Sequence, residues 1–198
     1  MRIVLVALMM MLGACADKYD VHERQLHAVR CRELPSKIEL LVYISDKFVF
    51  DERTNIIEGI NAWHTADSGM ITWGMSNHPL SKSDVRVPGR CATLLVNVMP
   101  TALSSKRVVE YEKKYGVPIL GMTEPYSPPY STPTYVFLVK ESLHDRSRMT
   151  TVTTHEFGHV MGLSHTKNSV VSVMNENIDH MSPAPSHNDI ATLRSMYR

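Results

Sequence analysis

An α+β fold is predicted for this 198-residue chain, on three observations. Residues 38–44 place Ile38, Leu40, Val42 and Ile44 on one face at the strand period. Residues 56–63 repeat apolar positions at the helix period. Strand-like segments then follow one another until a histidine-bearing helix near residue 155, so sheet comes first and the polar-site helix after it.

The first strand is KIELLVYIS, 37–45, with Ile38, Leu40, Val42 and Ile44 on one face. In DERTNIIEGINAWHTADSG, 51–69, Ile56, Ile57, Ile60 and Trp63 share one stripe, Asp51 is the expected N-cap and Gly69 lies past the end. Trp63, an aromatic at helical spacing, is read as core. MITWGMS, 70–76, and CATLLVNVM, 91–99, are strands, and SSKRVVEYEKKYG, 104–116, is a helix stopped by Gly116. PILGMTE, 118–124, and TYVFLVKES, 134–142, are further strands. They flank the proline-rich PYSPPYSTP, 125–133, whose prolines exclude a regular ladder. A helix over 148–162 carries Phe157, Val160 and Met161 on its core side. A last helix starts at Ser186, with Asp189 completing a capping-box variant and Ile190 and Leu193 facing inward.

With 43% hydrophobic residues and a net charge of +1, the chain suits one sizeable core and carries no basic field that asks for nucleic acid. The expected organisation is a leader over 1–15, a linker over 16–34 and one folded domain over 35–198. Arg2 followed by an apolar run from Ile3 to Leu12 is too short to span a bilayer and reads as a signal peptide. Its end, LGAC, resembles the lipobox of bacterial lipoproteins, which implies lipidation at Cys15 and a membrane anchor in the cell envelope. Ala14-Cys15-Ala16 alternatively offers an ordinary signal cleavage after Ala16 and a secreted protein. In either case the protein is exported, and an oxidising compartment favours a Cys31–Cys91 disulfide. A second reading of Cys31, in VRCRELP, is a thiolate free to ligate a metal ion.

The chemistry is concentrated in HEFGHVMGLSH, 155–165. His155 and His159 are one helical turn apart, so both imidazoles project from one face and can reach one tetrahedral zinc. Gly162 follows where a chain leaving a helix needs positive φ, and the turn can return His165 as third ligand. Glu156, next to the first ligand, is placed to act as base on a water.

These residues match HExxHxxGxxH, and the chain resembles the metzincin zinc metallopeptidases. Met174 in SVMN, downstream of His165, resembles the family's Met-turn. Glu176 stands two residues later, where other branches place a metal-reaching tyrosine, so the resemblance is to the matrixins. MSPAPS, 181–186, with Pro183 and Pro185, resembles the wall of the pocket for the substrate side chain after the scissile bond. The resemblance implies a twisted, mostly parallel five-stranded sheet with two helices, plus a small C-terminal subdomain ending in a helix. It also implies one catalytic Zn2+, leaving structural Ca2+ or a second zinc open, since His64, His78 and His144 read as isolated surface residues.

The activity implied is that of a zinc metalloendopeptidase acting as a monomer on a peptide or protein substrate laid along an edge strand such as PILGMTE. Glu156 would take the water proton and pass it to the leaving amine. The rival reading is a cell-surface, zinc-containing binding module without protease activity. Such a module needs a closed set of four protein ligands, and the sequence offers three.

Overall fold

The computed structural model describes residues 37–81, 84, 93–124, 133–166 and 170–197. The leader, the linker, Cys15, Cys31 and Cys91 lie outside these residues, as does most of the proline-rich loop.

Strands β1 (Ile38–Ile44), β2 (Ile71–Ser76), β3 (Thr93–Thr101), β4 (Gly121–Glu124) and β5 (Thr134–Val139) form one sheet in the order β2-β1-β3-β5-β4. All neighbours are parallel except β4, which runs antiparallel to β5 and forms one edge. This is the mixed, mostly parallel architecture the sequence predicts. Helices α1 (Phe50–Ala66), α2 (Lys106–Tyr115), α3 (Arg146–Val160) and α4 (His187–Met196) complete the described elements, with short 3-10 turns at Lys140–Ser142 and Ile178–His180.

The predicted face of β1 is the buried one: Ile38, Leu40, Val42 and Ile44 join Ile56, Ile60, Trp63, Val152 and Phe157 in the main core. Helices α1 and α3 therefore cover this face. Alternation along β5 separates two clusters, because Val136 and Leu138 belong to the main core while Val139 packs with Val108, Ile119 and Met122. Helix α2 accordingly lies over the opposite face.

Two helix starts differ from expectation. Helix α1 begins at Phe50 with Val49 as N-cap, and the Glu52 carboxylate accepts the Val49 N–H at 2.8 Å. Asp51 sits inside the first turn, where its charge still favours the helix dipole. Helix α3 begins at Arg146 because Asp145 caps it, accepting from the Arg148 N–H at 3.2 Å. Helix α2 stops where predicted, at Gly116 with φ 72°, and Ser105 caps its start.

Helices α1 and α3 approach closely at Gly59, where an added Cβ would stand 2.8 Å from the Thr150 carbonyl oxygen. Across the same contact the Trp63 indole N–H donates to the Thr154 carbonyl at 2.7 Å, and the Thr150 hydroxyl donates to the Asn55 carbonyl at 3.3 Å. The helix carrying the histidines is thus fixed by shape and by polar bonds to backbone, in addition to apolar burial.

Candidate metal centre

Helix α3 ends at Val160, and the chain turns at Gly162, with φ 96°. Leu163 N–H reaches back to the Gly158 carbonyl at 2.9 Å, the bond that closes a glycine-terminated helix. This turn carries the chain under the helix and returns His165 to the histidines above it.

The three side chains converge through one atom each. Nε2 of His155 lies 3.0 Å from Nε2 of His159 and 3.2 Å from that of His165, and the remaining pair is 3.1 Å apart. Their outer nitrogens explain why. His155 Nδ1 faces the Val173 carbonyl at 2.7 Å, and His159 Nδ1 faces the Leu163 carbonyl at 2.9 Å. A carbonyl only accepts, so each of these Nδ1 atoms carries the ring proton and each Nε2 presents a lone pair. Burial first, then the neighbouring His159 and His165, push the pKa of His155 well below 6.5, which keeps that ring neutral.

Two such lone pairs 3.0 Å apart repel each other unless a cation lies between them. Three nitrogens bound at 2.0–2.1 Å to one tetrahedral ion are about 3.4 Å apart, close to the spacing here. The donor set fits zinc: neutral imidazoles, oriented by backbone carbonyls behind them. Among the described residues this is the group of His, Cys, Asp and Glu side chains that could hold a metal ion.

Glu156 is wholly buried beside them. The Thr123 hydroxyl of β4 lies 2.6 Å from its Oε2 and 3.1 Å from its main-chain oxygen. Gly121, on the same face of the strand, makes room for the carboxylate, since a Cβ there would stand 2.5 Å from Oε1. Met174 is buried below the helix, with its sulfur 2.2 Å from where a Cβ on Gly158 would be. The turn that carries it is tied down twice, by Thr166 N–H to the Met174 carbonyl at 2.8 Å and by Asp189 through Ser172 and Val173.

Pro183 is exposed and Pro185 half-buried, in a strap held by Ser182 N–H to the Ser172 carbonyl at 3.0 Å. Glu176 is exposed. His64 Nδ1 donates to the Ile71 carbonyl of β2 at 2.7 Å, and His78 pairs with Asp84, so neither joins the cluster. Thr123, the Leu163 and Val173 carbonyls and Asp189 were not singled out for the site from sequence. Asp189 had a local signal as a helix-cap residue, whereas Thr123 is 33 positions from its partner.

Residues 134–198 match the Matrixin peptidase family model. That segment holds β5, α3, all three histidines, Met174 and α4. Together with the three-histidine group, the match points to a zinc metallopeptidase of the metzincin type. No curated protein matches the chain. Among solved structures, the chain is similar to an archaemetzincin from Methanopyrus kandleri, at 13% identity and a TM-score of 0.45, over 81% of this chain and 96% of that one.

Proposed function

We propose that this protein is a zinc-dependent endopeptidase in which His155, His159 and His165 hold the metal and Glu156 is the general base. The observation that carries the reading is the tautomer pattern: both helical histidines are fixed by carbonyls with their Nε2 lone pairs turned towards His165. Zinc, when bound there, supplies Lewis acidity and lowers the pKa of water.

The chain's own residues do the rest. Helix α3 places Glu156 directly after the first ligand, buried and oriented from β4. Its carboxylate takes a proton from the attacking water and returns it to the nitrogen of the leaving amine as the C–N bond breaks. The antiparallel edge strand β4 offers main-chain groups to an extended substrate, which would add as a further strand. Pro183 and Pro185 are proposed to wall the pocket for the side chain after the scissile bond. Export through the leader, with a lipid on Cys15, would place this activity in the cell envelope.

The test is a digest of a diverse peptide library alongside metal analysis. Wild-type protein should carry one zinc and cleave, and Glu156→Ala should keep the zinc while the rate falls by about 10²–10⁴. His159→Ala should lose the metal. Stoichiometric zinc with no cleavage of any library member, unchanged by Glu156→Ala, would favour the surface binding module instead.

A further inference from the structure

We infer that Thr123 is a positioning residue for the base, so that the edge strand β4 sets the orientation of the Glu156 carboxylate. The inference rests on the peptidase reading above and adds a residue to it.

Glu156 lies on α3, 33 residues from Thr123 in sequence, yet its carboxylate is seated on β4. Thr123 and Gly121 are two apart in the strand and so point to the same face. The first supplies a hydroxyl 2.6 Å from Oε2. The second, by lacking a side chain, leaves the space that Oε1 and Cγ occupy. A hydroxyl donates one proton, and here two acceptors compete for it: the carboxylate at 2.6 Å and the Glu156 carbonyl at 3.1 Å. The shorter contact and the charge both favour the carboxylate. Hydrogen bonding to Oε2 stops rotation of the carboxylate about its last torsion, which is otherwise broad and two-fold.

The carboxylate plane is therefore fixed from the strand that substrate would join. A general base must be held within hydrogen-bond reach of the proton it removes, and small misplacements lower rates steeply. Glycine and threonine at these positions form a seat for a carboxylate. The opposite face of β4 is used differently: Met122 packs in the α2 cluster and Glu124 pairs with Arg107 at 2.6 Å.

The experiment compares Thr123→Val, which keeps the shape and removes the hydroxyl, with Thr123→Ser, which keeps the hydroxyl. With a cleavable peptide from the library, Thr123→Val should lower kcat by about 10–100-fold, the size expected for losing a hydrogen bond to a charged group, while KM stays within about twofold. Thr123→Ser should restore kcat to within about threefold of wild type. Zinc content and the zinc affinity measured by competition with a chelating dye should be unchanged in both, since both hydroxyl contacts of Thr123 are to Glu156. In crystals of the metal-free proteins the Glu156 carboxylate should keep its seat in Thr123→Ser and turn from it in Thr123→Val. Should Thr123→Val not fold, Thr123→Ala takes its place against the same serine variant.

Equal kcat for the valine and serine variants, or a carboxylate that stays seated without the hydroxyl, would overturn the inference. A loss of zinc with the hydroxyl would also overturn it, by making Thr123 a general structural support. Failure of the wild type itself to cleave any peptide would count against the peptidase reading, and the carboxylate position in the crystals would still decide the role of Thr123.

Discussion

The carboxylate of Asp189, at the start of α4, accepts the Ser172 hydroxyl with one oxygen and the Val173 N–H with the other, at 3.3 Å. The same second oxygen accepts from the Ser186 N–H and hydroxyl at 2.7 and 2.8 Å. One buried carboxylate thus caps a helix and pins the turn whose Val173 carbonyl fixes the tautomer of His155. Asp189→Ala should destabilise the fold by about 2–3 kcal/mol, by leaving several donors without an acceptor. Through Val173 it should also weaken metal binding roughly 10–100-fold. Chemical denaturation and metal competition measure the two effects separately.

Gly158 marks the tightest packing around Met174. An alanine methyl there would fall 2.2 Å from the methionine sulfur and 3.0 Å from the Trp63 ring. Gly158→Ala is expected to lower stability by about 1–3 kcal/mol through overpacking. Gly74→Ala, where an added Cβ meets nothing within 4 Å, is the control and should change stability by less than about 0.5 kcal/mol.

Metal-stripped protein should be acid-sensitive in a defined window. Burial, with the adjacent histidines, holds His155 neutral in the fold at pH values where the unfolded chain would protonate it near 6.5. The stability this neutral ring contributes is complete above pH 6.5 and is lost as the pH falls below it, by up to about 1.4 kcal/mol per pH unit for the single proton. Thermal melts of the stripped protein from pH 8 to pH 5 should show this fall, and His155→Gln should flatten it. A flat profile in the unsubstituted stripped protein would contradict the account.

The exported setting proposed for the chain predicts that Cys31 and Cys91 are paired. In the chain-entropy model a bridge closing so long a loop is worth about 4 kcal/mol. Thiol labelling of unreduced native protein should therefore find neither cysteine, and reduction should lower the melting temperature. Free labelling of both would leave the pairing without support.

Much of the architecture is legible in local patterns. The alternation Ile38, Leu40, Val42, Ile44 fixes both the strand and its buried face, because a one-residue slip would turn all four to solvent. Ser186 and Asp189 announce the start of α4, and Gly162 the turn after α3, since each acts on backbone groups a few residues away. The start of α1 was less legible: Asp51 looks like a cap, but the reciprocal bond of Glu52 to Val49 decides it. What sequence could not show is long-range complementarity. The seat of Glu156 on β4 and the two hydrogen bonds that Asp189 accepts from the Met174 turn depend on strand order and on a chain reversal. No periodicity encodes these.

The reversal at Gly162 also divides labour between near and far parts of the chain. Because His155, His159 and His165 lie within one short stretch, bringing their nitrogens together closes only small loops, and the entropy of that closure is low. The approach of the three nitrogens is thereby largely local, set by one helix end and the turn after it, while the orientation of His155 also depends on the Val173 carbonyl farther along the chain. Seating the Glu156 carboxylate needs the finished sheet, since Thr123 reaches it from another element. On the proposed reading, the three histidines can come together from local turns alone, whereas the Glu156 carboxylate finds its seat only once β4 lies beside β5.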